Sequence, residues 1–179
     1  MKGHRIETLE DFARKGRVFV YGIGSEGGSA KVGVAETLEI RPGVEIRYRL
    51  DACWKNREGT LAWESLLSLH TLDVDEAPAA SPSTPLFIRS LHGSELYVGL
   101  VTILERSPDG LVCYHTDRAG RAAYFFYPWH VILRLGRERF GEPASLPPLP
   151  APEPEDEPEI GTVTVAELEE VTIDSFGVY

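Results

Sequence analysis

Five histidines and two cysteines are the residues best able to do chemistry here, and their spacing limits what that chemistry can be. His4, His70, His92, His115 and His130 include no pair four apart, so none makes the helical couple that grips a metal ion. His115 and Asp117 alternate on one strand face and could share a ligand, but a surface turn pair is the simpler reading. Cys53 and Cys113 are too few for a disulfide framework and form no Cys-x-x-Cys pair for zinc. Cys113 and His115 face the same side of a strand, yet no Gly-x-Ser-x-Gly elbow accompanies them. Two buried thiols in a reducing cytoplasm are expected. No metal, cofactor or catalytic residue is expected, and the chain reads as non-enzymatic.

Anion and nucleic-acid chemistry come next. The stretch GIGSEGGS at 22–29 can offer backbone N–H groups to an anion. It lacks the Lys-Ser/Thr of a P-loop and opens into a strand instead of a helix, so a hairpin tip is expected. Arg47 and Arg49 alternate on one strand face, while Arg118 and Arg121 flank a turn near Trp129, Tyr114, Tyr124 and Phe126. Arginines beside exposed aromatics can stack bases, which makes Arg47, Arg49, Arg118, Arg121 and Trp129 the candidate nucleic-acid contacts. The competing reading is an ordinary core with a solvated charged face. Tyr124 and Phe126 alternate against Phe125 and Tyr127, so one pair is expected in the core.

The elements that must position these residues are mainly strands. Thr8 before LEDFARK, with Asp11 three residues on and Gly16 just after, predicts a helix near 9–15. From Arg17 the period changes. RVFVYGI, KVGVAETLEI, VEIRYRL and TLAWESLLSL read as strands separated by Gly- and Pro-bearing turns. DVDEAPAASPSTP reads as a linker over 74–85, because proline and small polar residues resist a packed element. LFIRSL, LYVGLVTILER, LVCYHTD and AAYFFYPWHVILRL then supply a second set of strands. Pro128 is expected at an edge or bend.

The two sets overlay at one fixed offset. Val32-Gly33-Val34 matches Val98-Gly99-Leu100, Leu38-Glu39 matches Leu104-Glu105, and Trp63-x-x-Leu66-Leu67-x-Leu69 matches Trp129-x-x-Ile132-Leu133-x-Leu135, always 66 residues apart. A constant offset at separate places predicts a duplicated unit. The expected domains are a first small barrel with its helix (1–73), the linker (74–85), a second small barrel (86–140) and a tail (141–179).

A helix followed by five short strands, with glycine inside the second, resembles the Sm-like small β-barrels of SH3 type, which include the bacterial Hfq-type RNA chaperones. LFIRSLHGSELYVGLVTIL is similar to that group's first motif and FFYPWHVILRL to its second, with Tyr127, His130 and Ile132 matching its tyrosine–histidine–isoleucine run. The Gly93–Gly99 interval is one residue longer than in the group. Pro128-Trp129 replaces a single basic residue, and the first half has Trp63-Glu64 and no histidine there. The resemblance implies tandem barrels of this type and, as the alternative function, RNA or single-strand binding.

Charge is uneven. The chain carries −10 in all, and residues 137–179 alone carry −9. An acidic chain is a poor indiscriminate binder of nucleic acid. Residues 142–159 contain seven prolines and form a semi-rigid acidic spacer. Beyond it Val171, Ile173, Phe176 and Tyr179 are the apolar residues of a candidate docking segment. No apolar run is long enough to span a membrane, and MKGHRIETLEDF has no signal-peptide core, so export by that route is not expected. The function expected is a protein-interaction or assembly module with an unidentified protein partner. Homo-oligomers are plausible through strand edges, RNA is a less favoured partner, and no membrane partner is expected.

Overall fold

The computed structural model describes residues 5–23, 32–51, 57–72 and 76–141. The glycine-rich stretch 24–31, Cys53 and the docking residues Val171, Ile173, Phe176 and Tyr179 lie outside the described residues. The one α-helix among the described residues, α1 (Leu9–Lys15), opens the fold. The Asp11 carboxylate accepts the backbone N–H groups of Glu7 at 3.0 Å and Thr8 at 2.9 Å, which fixes where the chain turns into the helix. Leu9 and Phe12 share the face that it buries.

The rest is antiparallel strand. The first group is β1 (Val18–Gly22), β2 (Gly33–Arg41), β3 (Glu45–Leu50), β4 (Glu58–Ala62) and β5 (Leu66–Thr71), with a 3-10 turn Trp63–Ser65 between the last two. The second is β6 (Thr84–Arg89), β7 (Glu95–Arg106), β8 (Gly110–Thr116), β9 (Ala122–Pro128), β10 (Ile132–Leu135) and the two-residue β11 (Glu138–Arg139). They form one hydrogen-bonded order of eleven strands, β11-β10-β6-β7-β8-β9-β5-β1-β2-β3-β4. Two closed sheets were expected from the sequence. The order is instead open, with β11 at one end and β4 at the other, because β5, paired with β1 on one side, bonds on its other side to β9 of the second group and not to β4 of its own. No described helix is long and apolar enough to cross a membrane.

The 66-residue offset reappears in the pairing itself. Both groups run fifth-first-second-third-fourth across the sheet. Val20 opposes Gly33 as Leu86 opposes Gly99. Tyr21 opposes Ser68 as Phe87 opposes Arg134, and Gly22 opposes Leu66 as Ile88 opposes Ile132, with a register slip at the same step in both groups. Gly33 and Gly99 adopt φ of 131° and 135°, a region that side-chain-bearing residues scarcely enter. A Cβ on Gly99 would meet nothing within 4 Å, so any cost there is backbone strain alone. Gly99→Ala and Gly33→Ala are each expected to lower stability by about 1–3 kcal/mol in urea titration. A cost at one and none at the other would show that the two glycines do different work.

The buried residues form two clusters. Ile6, Leu9, Phe12, Val18, Val20, Ile46 and Trp63 build the first; Leu86, Val101, Val131, Ile132 and Leu135 build the second. β8 and β9 serve both. Val112, Tyr124 and Phe126 enter the first cluster, while Leu111, Cys113, Ala123, Phe125 and Tyr127 enter the second. The core pair expected on β9 is present, and the alternate pair is buried with it. Alternate side chains leave a strand on opposite sides, and β9 is covered on both.

The proline-rich connection packs closely at its end. β6 begins at Thr84, inside the expected linker, and Ser83 N–H donates to the Val101 carbonyl at 3.2 Å. Thr102 Oγ1 donates to the Ala80 carbonyl at 3.3 Å, and the buried Tyr124 hydroxyl donates to the Glu76 carbonyl.

Candidate functional site

The seam between the two groups is where chemistry-bearing residues converge. β5 and β9 meet through Leu69 opposite Phe126 and His70 opposite Phe125. That register puts rings from four strands in line. Phe19 on β1 stacks on His70 at 4.8 Å, His70 on Phe125 at 5.1 Å, and Phe125 on His115 of β8 at 3.9 Å. Cross-strand positions one strand apart are close enough for such contacts, so the pairing alone creates the ladder.

The ladder borders a groove of about 520 Å³. Phe19, His70, Phe125 and Tyr127 form its aromatic side, and Ile88, Leu91 and Leu96 face them from the second group. Arg118 and His92, both exposed, stand at its margin with the half-buried Arg89. The lining is mainly apolar with a cationic margin, which is the composition of a site for a partly apolar ligand.

Four titratable groups in and behind the ladder, His70, His115, Tyr127 and Cys113, are held neutral. Burial lowers His70 to about 4, aided by Arg121 and His115 and opposed by Asp117. His70 Nδ1 is buried without a hydrogen-bond partner, which a neutral ring tolerates better than a charged one. Burial likewise lowers His115. Its Nδ1 lies 3.1 Å from the Thr116 carbonyl, which can only accept, so Nδ1 carries the proton and Nε2 accepts the Tyr127 hydroxyl at 2.9 Å. Burial raises the Tyr127 phenol well above its usual value and raises the Cys113 thiol as well. Acid–base work at neutral pH needs a group poised near 7, and the thiolate is the reactive form of cysteine. These four side chains supply neither.

No family model, curated protein or solved structure matches this chain.

The residues proposed from sequence scatter. Arg118 reaches the groove margin. Arg121 stays in its turn, where its Nε meets Asp117 Oδ2 at 3.2 Å and its N–H caps Asp117 Oδ1 at 2.8 Å. Arg47 and Arg49 lie on β3, near the far end of the strand order, beside a shallow polar depression shared with Glu39 and Glu58. Arg47 Nε is 2.7 Å from Glu45, and Arg49 Nε is 3.8 Å from Glu36. Trp129 is engaged inside the fold: its indole N–H donates to the Ser107 carbonyl at 2.8 Å and its ring stacks on Phe140 at 4.9 Å. Arg47 and Arg49 line one depression and Arg118 borders another, and no described contact joins the five. His115 is also not a surface turn residue, being 3% exposed. Among the described residues no group of His, Cys, Asp and Glu is placed to hold a metal ion. His130 lies apart from the ladder and donates through Nε2 to the Leu66 carbonyl at 2.8 Å.

Sequence reading missed Phe19, His70 and Leu91 as site residues. Phe19 and His70 are 51 positions apart in the chain, and nothing local in either segment reports that β1 and β5 pair. The turn signal at His92-Gly93 did mark one wall of the groove, since Gly93 takes φ 81° and Ser90 N–H closes the turn on the Ser94 carbonyl.

Proposed function

We propose that the protein is a non-enzymatic binding module that takes a short partner peptide in the groove at its seam. The observation that carries this is the ring ladder Phe19–His70–Phe125–His115 beside an apolar wall, with Arg118 at the margin. An aromatic or aliphatic side chain of the partner would lie on the ladder, and an acidic neighbour would face Arg118. In this reading the chain carries two tandem small β units of the Sm/SH3-like type, open at their ends, whose junction makes a surface that neither unit has alone. The four neutral titratable groups support binding over catalysis. The apolar residues of the acidic C-terminal segment belong to the same proposal as a second partner-binding element in a cytoplasmic protein.

Selection from a displayed random-peptide library tests it with the full chain as bait. Peptides with an aromatic residue next to an acidic one should be enriched. Leu91, which is 46% exposed, can be changed without opening a core. Leu91→Asp should weaken the selected peptides about tenfold, equivalent to roughly 1.4 kcal/mol. Enrichment unaffected by Leu91→Asp would move the site elsewhere. Salt-sensitive binding of short single-stranded RNA, with no peptide enriched, would replace this function with the nucleic-acid one.

A further inference from the structure

The seam joins the fifth strand of one unit to the fourth strand of the next, and the chain ends with those same two strands at its outer margins. β4 is the fourth strand of the first unit and has no neighbour beyond it among the described residues. β10 is the fifth strand of the second unit, and among the described residues its outer side carries only β11.

Backbone direction at both margins follows from the hydrogen bonds that are made. Trp63 N–H donates to the Val44 carbonyl at 3.0 Å, and Leu50 N–H donates to the Arg57 carbonyl. In an antiparallel pair the bonded positions alternate, so Glu58, Thr60 and Ala62 aim their N–H and C=O groups away from β3. On the other margin Phe140 N–H donates to the Leu133 carbonyl at 2.8 Å and Leu135 opposes Glu138, so Leu133 and Leu135 aim outward. At the seam Leu69 opposes Phe126. Shifted by 66 residues on each strand, that pair becomes Leu135 opposite Thr60. The neighbouring pair is then Leu133 opposite Ala62, and both outward positions of β10 meet outward positions of β4.

β11 stands where this partner strand would lie. It offers two residues of pairing, against the five residues of β4. It is clasped from outside. Arg106 Nη2 meets Glu138 Oε2 at 2.8 Å and Nη1 meets Oε1 at 3.2 Å, while the same guanidinium lies 5.7 Å from the Trp129 ring and 5.9 Å from Phe140. A tight local hairpin has a high effective concentration and wins over an intermolecular strand until it is loosened. Short, charged end strands are a known means of preventing edge pairing.

We propose that β4 of one copy fits β10 of another copy of this chain, repeating the seam between molecules, and that β11 is a plug that withholds β10 and keeps the chain single. This goes beyond the groove reading and does not use its residues.

Sedimentation velocity of the full chain over a wide concentration range tests it. The wild-type chain should sediment as one copy. Glu138→Pro removes the N–H that faces Leu135, and the sedimenting mass should then at least double with concentration. Thr60→Pro removes an N–H that points away from β3 and leaves the β3–β4 bonds intact; added to Glu138→Pro it should return the mass to one copy. Wild-type self-association overturns the plug. A folded Glu138→Pro chain that stays single, or one whose association survives Thr60→Pro, overturns the pairing. Should Glu138→Pro not fold, as judged by tryptophan emission, Arg106→Ala carries the same test. It loosens the clasp and keeps the backbone of β11, so association reversed by Thr60→Pro supports the proposal and a single-copy mass overturns it.

Discussion

Phe126→Ala is expected to lower stability by about 3–5 kcal/mol, among the largest losses that truncating one side chain can cause. Phe126 is wholly buried and packs against Trp63 with ring centroids 5.8 Å apart. It belongs to β9, yet it fills the first cluster. The cavity would therefore open at the point where the two groups of strands share a core. The loss should appear in urea titration as one transition at a lower midpoint with an unchanged slope. Val44→Ala, at a residue 61% exposed, serves as the control and should stay within about 0.5 kcal/mol of wild type. Two separate transitions in the Phe126→Ala chain would mean that the groups unfold independently, contrary to what the shared strand requires.

Acidification is expected to have the second-largest effect. His70 titrates near 6.5 when unfolded and at about 4 in the fold. Between those values the unfolded chain binds more protons than the folded one, so stability rises with pH across the window and falls as pH drops from 6.5 toward 4. Above the window both states are neutral and nothing changes. Below it both are charged and the loss is complete. After a discount for partial solvent screening, the loss is on the order of 2 kcal/mol. His115 is shifted in the same direction and adds to it. Asp117 and Glu138 are held below their ordinary carboxyl values, so their contributions disappear at still lower pH. Thermal melts in buffers across the window measure the slope. His70→Phe keeps a ring in the ladder and removes its titration, so its melts should show a shallower slope there, with the share of His115 remaining. An undiminished slope would assign the effect to another group.

Much of the fold was legible because its signals are local. Thr8, Asp11 and Gly16 bracket the helix that forms. Alternation in VEIRYRL and the glycines at 43, 93 and 120 marked strands and turns that the structure contains. The 66-residue offset carried further still, since matching residues such as Gly33 and Gly99 take matching places in the register. What was not legible depends on which strand lies beside which. The run AYFFY has no alternation, and periodicity alone cannot say whether such a segment is covered on one face or two. That ambiguity hid the double burial of β9 and with it the groove. The arginines were conspicuous by type. Arg47 and Arg121 meet carboxylates near them in the chain, whereas the partner of Arg49 became visible only when strands brought Glu36 beside it.

The seam also bears on how the chain is made. β5 ends at Thr71 and its partner β9 starts at Ala122. A ribosome adding roughly 5–20 residues per second takes about 3–10 s to cover that interval. Throughout it, β5 lacks its partner strand and the first cluster lacks Tyr124 and Phe126. The nascent protein thus has a timed vulnerability, during which slow elongation or a crowded polysome would favour pairing with the wrong neighbour.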